Sequence, residues 1–343
     1  MPHLRTGRSR RPILAATLLA VVASSTLAAV PATAAVATAA APAGSPATCA
    51  SAVPAGTSRV DVELDGTTYP VRVHVPDDAR RDKPLPTVVN LHFSNGNADI
   101  QADYSGLDDV ADREGFITVA PDAAIPTGDS DLGPVGVWNV PGVPTVAGQY
   151  PPAGARDDVA FLTRVIDTVV GLGCADPHRV YLTGHSGGAR MASAYACAHP
   201  EKIAAVAPVA GLRSGTPDQD DPSAVVPGSC TPSLPVPVIT FHGDADTTNP
   251  FEGNDDPRWG YPVTQAVTGW AHLDGCAARP RQTPVTTHVT RVTYAGCDQG
   301  AQVQLYRVAG GTHSWPGSDL DPTATQEVDA ASLIWDFFSH RRR

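Results

Sequence analysis

The run Val180-Tyr181-Leu182-Thr183-Gly184-His185-Ser186-Gly187-Gly188-Ala189-Arg190-Met191 constrains this chain more than any other stretch. An apolar, β-favouring segment reaches a glycine-flanked serine and passes at once into small residues that suit a helix. That is the G-x-S-x-G pattern in the setting it requires, strand then sharp turn then helix. The turn forces strain on the serine backbone, and strand and helix pass so closely at Gly184 and Gly188 that nothing bulky fits there. The hydroxyl then stands clear of the sheet at a helix N-terminus, where negative charge is favoured. With 31 glycines in the chain, the bare pattern also arises by chance. The flanking strand and helix are what make Ser186 a candidate nucleophile.

The first residues read as an export signal rather than as part of a fold. Arg5, Arg8, Arg10 and Arg11 precede an apolar run over 13–30, and small-residue sites follow at Ala32-Thr33-Ala34 and Ala37-Thr38-Ala39. This predicts a signal peptide and cleavage region over 1–41, of Sec or twin-arginine type, and a secreted product. Residues 42–58 read as a flexible lead and 59–340 as one catalytic-size domain, long enough to bury a large core. Removing the four arginines takes the net charge from −11 to about −15. Such acidity argues against nucleic acid and anionic membrane as partners and favours a monomer in solution. Six cysteines, all after the signal, imply disulfides in an oxidising compartment. Their spacing with histidine suits no zinc site, and neither metal nor cofactor is expected.

Strand and helix patterns alternate along the domain. Residues 60–75 alternate apolar and polar around Asp65-Gly66, which predicts a hairpin. Short apolar strands are expected at 87–92, 116–120, 204–209 and 236–241, with a hairpin-like pair at 289–294 and 303–308. Helices are expected at 104–114, 157–171, after the Ser186 turn to about 199, and at 325–338. Residues 122–152 read as a long Gly/Pro-rich surface loop. This is an α/β arrangement, a mostly parallel sheet with helices on both faces.

A serine hydroxyl needs a base, and the base needs a carboxylate to fix its tautomer. On such a sheet the three arrive in the order Ser, acid, His, each at a strand's carboxyl end. The strand over 236–241 runs into His242-Gly243-Asp244-Ala245-Asp246, and that over 303–308 into Gly310-Gly311-Thr312-His313. The acid is Asp244 or Asp246, with Asp246 favoured because the extra residues let its carboxylate curl back. His313 is the candidate base among eleven histidines. His242, beside the acid loop, suits a supporting hydrogen bond, and His185 sits inside the turn. Two N–H donors are also needed for the oxyanion. Gly187 is the candidate for one, and Phe93 or Ser94 for the other. Trp138, Asn139 and Trp315 are candidate substrate-binding residues.

The blocks around Ser186, Asp246 and His313, the last continuing Ser314-Trp315-Pro316-Gly317, resemble those of the secreted polyhydroxybutyrate depolymerase and feruloyl esterase family. The likeness extends to Ala111–Phe116, Trp138-Asn139, Asp157–Leu162, Asp176–Tyr181 and Val206–Gly211. It implies an α/β-hydrolase fold with Ser186 as nucleophile, Asp246 as acid and His313 as base. It also implies a pairing of Cys276 with Cys297. Cys197 with Cys230 is a weaker suggestion, which leaves Cys49 with Cys174. The implied activity is hydrolysis of carboxylic esters through an acyl-enzyme, on polyhydroxyalkanoate or related aliphatic polyester and oligoester. Feruloyl or acetyl esters on plant polysaccharide are the alternative, and a non-catalytic cell-wall binding protein is the reading from another class. One departure stands out: the family's His-Gly-glycine loop is here His92-Phe93-Ser94-Asn95-Gly96, which adds bulk near the acyl position.

Overall fold

The computed structural model describes residues 49–79, 83–277 and 279–343. The expected signal peptide and residues 42–48 of the expected lead lie outside them, whereas 49–58 are not a flexible lead: Cys49 is fully buried in a disulfide with Cys174, Val53 is buried, and a strand begins at Gly56. After a short helix α1 (Cys49–Ala52), the chain forms the hairpin β1 (Gly56–Leu64) and β2 (Thr67–Val75). Asp65 and Gly66 both take positive φ, as a two-residue hairpin turn demands. Next come β3 (Leu85–Leu91), α2 (Ala98–Ser105), α3 (Leu107–Glu114), β4 (Ile117–Ala120) and a small separate hairpin, β5 (Ile125–Ser130) and β6 (Gly133–Val137). Then follow α4 (Asp158–Gly171), β7 (Ala175–His185), α5 (Gly187–Ala198), β8 (Ala205–Val209) and β9 (Val238–Gly243). The chain ends through α6 (Val263–Leu273), β10 (Arg281–Pro284), β11 (Val289–Tyr294), β12 (Val303–Val308) and α7 (Ala330–Ser339).

Ten strands form one sheet in the order β1-β2-β4-β3-β7-β8-β9-β12-β11-β10. The central run from β4 to β12 is parallel, and both edges are finished by antiparallel hairpin strands. One face is covered by α4, α5 and α6 through Phe161, Leu162, Met191 and Trp270. The other is covered by α3 and α7 through Leu107, Val110, Ile334 and Phe338. Alternate residues of a central strand serve the two layers: Tyr181 faces α7, while Val180 and Leu182 face α4. Each such fully buried side chain contributes about 1.5–3 kcal/mol. The fold is that of an α/β-hydrolase.

Several boundaries differ from the sequence reading for local reasons. The helix expected over 104–114 is two helices, broken by Gly106 at φ 64° and starting earlier at Asn97, whose side chain caps Ile100 N–H. The last helix starts at Ala330 because Asp329 caps Ala331 and Ser332 N–H. The loop over 122–152 holds the β5–β6 hairpin, and α6 and β10 carry no expectation from the sequence. Three disulfides join Cys49 to Cys174, Cys197 to Cys230 and Cys276 to Cys297. Among the described residues no helix is long and apolar enough to cross a membrane.

Asp274, at the end of α6, is fully buried, with Oδ1 accepting Val236 N–H at 2.8 Å and Oδ2 without a partner among the described residues. Burial, with Asp298 nearby, pushes its carboxyl up to about 7. The folded state therefore holds a proton that the unfolded chain releases near pH 4, so this group's contribution to stability falls as pH rises from about 4 to 7. The slope is at most about 1.4 kcal/mol per pH unit. Asp274→Asn keeps the acceptor and removes the titration. Its advantage over the native chain in urea unfolding should grow between pH 5 and pH 8; an advantage that stays constant over that range refutes the linkage.

Candidate active site

Ser186 sits between β7 and α5 with φ 56° and ψ −112°, a conformation costly for a non-glycine residue. It is held there because its N–H donates to Val209 O at 2.9 Å and its carbonyl receives Arg190 N–H at 3.0 Å. The glycines around it are forced by space. A Cβ on Gly188 would lie 2.2 Å from Leu91 O, and one on Gly184 would lie 2.7 Å from the same atom.

The ends of β9 and β12 bring the other two side chains in. His313 Nε2 is 2.8 Å from Ser186 Oγ, and its Nδ1 is 2.7 Å from Asp246 Oδ2. The second carboxylate oxygen of Asp246 accepts the N–H groups of Thr248 and Asn249, both at 2.8 Å. Burial by itself would raise this carboxyl, but hydrogen bonds from His242 and His313 hold it well below the usual carboxylate range. It stays an anion, as a partner for an imidazolium must. Asp244 is occupied elsewhere: it pairs with Arg307 at 3.0 Å and accepts Gly310 N–H at 2.6 Å, bracing the loop that carries His313.

His242 is buried beside Asp246. Its Nε2 donates to Asn249 O at 2.9 Å and lies 3.3 Å from Asp246 Oδ2, so two imidazoles share one carboxylate oxygen. His185 packs its ring 5.0 Å from that of His313 and against Phe93 and Tyr104. Among the described residues neither of its ring nitrogens has a partner, and burial, reinforced by His313, keeps it neutral. Trp259 completes the enclosure, its ring meeting His313 edge-on at 6.0 Å. The sequence reading missed Trp259, which has no motif around it.

The loop after β3 is pinned by its own carbonyls. His92 Nδ1–H donates to Phe93 O at 2.7 Å, and Gly96 N–H donates to the same oxygen at 3.0 Å. Ala123 N–H donates to His92 Nε2 at 2.9 Å, which fixes the tautomer. Burial carries this imidazole down to about 4, so it is a neutral strut. With Phe93 C=O held by two donors, the trans N–H of Ser94 points the opposite way. A Cβ on Gly187 would lie 3.2 Å from Ser94 N and 2.4 Å from Ser94 Oγ, so this N–H lies against the start of α5. Neither Ser94 nor Gly187 N–H has an acceptor among the described residues. Their proximity favours Ser94 over Phe93 as the second donor. Phe93 instead puts its ring against Tyr104 and His185.

The three candidate substrate residues do not form a groove. Trp138 is 3% exposed, and its indole N–H donates to His92 O at 2.8 Å, so it anchors the loop from behind. Trp315 is fully buried in the α3–α7 layer. Asn139 is tied by its N–H to Asp158 Oδ2 at 2.8 Å and by its side chain to Arg156 O at 2.9 Å. All three are packing residues, the ordinary fate of Trp and Asn beside a tightly tied loop.

Such an arrangement can take a proton from a hydroxyl, hold the resulting imidazolium and offer two N–H groups to an oxyanion. Comparison with known proteins bears on what it is used for. Residues 67–246 match the family described as Esterase PHB depolymerase, a span that includes Ser186 and Asp246. NocK of Nocardia uniformis subsp. tsuyamanensis, an inferred esterase, is 30% identical over 282 residues, covering 77% of this chain and 75% of its own. Feruloyl esterase C of Emericella nidulans is 26% identical over 282 residues, covering 80% of this chain and 85% of its own. The solved acetyl xylan esterase from Aspergillus awamori shares the fold, with TM-score 0.53, 18% identity and coverage of 83% and 99%. The chain belongs to the esterase PHB depolymerase family and is a hydrolase acting on esters.

Proposed function

We propose that this chain is a secreted serine esterase with Ser186 as nucleophile, His313 as general base and Asp246 as the orienting acid. The observation that carries this is the hydrogen-bonded relay Asp246–His313–Ser186 on a strained strand-to-helix turn. Ser186 Oγ attacks the ester carbonyl as His313 Nε2 takes its proton. The oxyanion is met by Ser94 and Gly187 N–H, and the alcohol leaves with the proton from His313. Water, deprotonated by the same imidazole, then releases the acid.

The favoured substrates are short aliphatic oligoesters of the polyhydroxyalkanoate type; feruloyl or acetyl esters are the alternative, supported by the feruloyl esterase relative. Among the described residues the exposed large hydrophobics are Leu132, Tyr150, Val285 and Leu320, single residues from four separate segments of the chain. Soluble oligomers should therefore be cut faster than crystalline polymer, and C2–C4 esters faster than C12. The test measures kcat/KM over an ester chain-length series, with clearing of polyhydroxybutyrate, amorphous polyester and feruloylated xylan compared side by side. A kcat/KM that rises with chain length refutes the short-acyl reading, and clearing of the xylan alone favours the alternative. The three disulfides suit export after removal of a signal over 1–41, with a single catalytic domain, tied at its start by Cys49, acting as a monomer.

A further inference from the structure

A cavity of about 340 Å³ runs beside α5, starting one helical turn beyond Ser186. Val140, Val143, Val159 and Ala194 supply apolar lining, and Arg190 and Arg213 supply charge. Both arginines are at least nine-tenths buried, at 4% and 5% exposure. Arg258, at the same cavity, is neutralised by Asp256, with Nε 2.9 Å from the carboxylate. Arg190 and Arg213 form no salt bridge among the described residues; Asp256, already paired with Arg258, and Asp246, already paired with His313, are the nearby acids that favour their charged forms. Arg190 Nη1 donates to Arg258 O at 3.2 Å, while Arg213 donates to Leu212 O and to Asn249 Oδ1. The Nε–H groups of both are buried with no acceptor among the described residues.

Their remaining support is aromatic. Arg190 lies 4.4 Å from the centre of the Trp259 ring, and Arg213 lies 5.7 Å from that ring and 5.2 Å from Tyr261. Burial lowers the two guanidinium groups to about 9 and about 10, so each is still a cation at neutral pH. Burying a charge is costly unless an anion or a full set of acceptors compensates. Two like charges bordering one cavity raise that cost, and a ring face offsets only part of it.

We propose that this cavity binds a short aliphatic carboxylate, with its head group at Arg190 and Arg213 and its chain against Val140, Val143 and Val159. A guanidinium pair matches a carboxylate, and the apolar wall matches a tail of a few carbons. Occupation is connected to the esterase centre by two routes. Trp259, which carries Arg190 on its face, also meets the ring of His313. Arg213 holds Asn249, whose N–H donates to Asp246. Two sources offer this ligand chemistry: the acid released by ester cleavage, and an ester whose far end carries a free carboxylate.

The binding test stands apart from the ester-hydrolase reading. The full chain is titrated with sodium butyrate, and with sodium chloride at equal ionic strength, while Tm and tryptophan fluorescence are followed. Butyrate should give a saturable rise in Tm and a fluorescence change that chloride does not. Arg190→Gln and Arg213→Gln should each weaken binding ~10- to 100-fold, the loss expected for a charge-assisted hydrogen bond. Ala194→Leu, which fills the cavity and alters no charge, should abolish the response even if the arginine variants fold poorly. No saturable response, an equal response to chloride, or an undiminished response in Ala194→Leu overturns the proposal. The kinetic test rests on the ester-hydrolase reading and separates the sources. A lower KM for monomethyl glutarate than for dimethyl glutarate identifies the substrate carboxylate; equal KM values with inhibition by butyrate identify the released acid.

Discussion

Ser186→Ala and His313→Ala should each lower kcat by roughly 10⁴- to 10⁶-fold, with KM changed little and the double variant hardly worse than either single. The reason is the relay itself: without the imidazole at 2.8 Å the hydroxyl keeps its proton, and without the hydroxyl the imidazole has nothing to activate. Multiplicative losses in the double variant would mean the two side chains act separately. The carboxylates supply an internal control. Asp246→Asn removes the acceptor of His313 Nδ1–H at 2.7 Å and should cost several orders of magnitude in kcat. Asp244→Asn, which loosens the pairing with Arg307 and a cap on Gly310 N–H, should cost stability of about 1 kcal/mol or less and little kcat. A larger kcat loss at Asp244 than at Asp246 reverses the assignment. Single-turnover measurement on a chromogenic short ester, beside a urea titration of each variant, separates chemistry from folding.

The parts of this site that were legible in the sequence are those whose geometry is dictated by neighbours in the chain. A serine between glycines at the end of an apolar strand can only be placed one way, and loops after successive parallel strands open on the same edge of the sheet. Thus Ser186 and His313 were nameable as candidates from order and spacing, with Asp246 favoured over Asp244 as the acid. What the sequence did not carry is the task of Asp244, whose partners Arg307 and Gly310 lie 60 or more residues away. Trp138 and Trp315 were misplaced for the same kind of reason. An indole beside a polar loop reads equally as a groove wall or as a plug, and only the acceptor His92 O shows Trp138 to be the plug. The arginines beside Trp259 left no trace at all. Arg190 lies in a helix pattern, Arg213 and Trp259 lie in irregular segments, and their meeting is purely tertiary. Local boundaries failed where one residue decides: Gly106 breaks a helix that apolar periodicity alone would continue.

Gly243→Ala should damage both folding and catalysis although it adds a single methyl. Gly243 ends β9, opposite Val308 of β12, three residues before Asp246. A Cβ there would lie 2.2 Å from both the carbonyl carbon and the oxygen of Gly311, and 2.6 Å from Thr312 O. These are backbone atoms of the loop that carries His313, so no side-chain rotation relieves the clash. The two loops must separate, by on the order of 1 Å to reach ordinary contact, and Ala245 N–H must loosen from Gly311 O, now at 2.9 Å. Overpacking of this kind costs about 1–3 kcal/mol. A separation of that size between Asp246 and His313 should cost about 10² in kcat, because the relay works only in near-attack geometry. Gly310→Ala is the matched comparison. Gly310 has φ 68° but open space around its Cα, so alanine there brings backbone strain of about 1–2 kcal/mol and no displacement of the neighbouring loop. Urea midpoints and kcat measured on both variants decide the matter. If Gly310→Ala lowers kcat as far as Gly243→Ala, strain within the loop rather than the contact between loops sets the geometry of the relay.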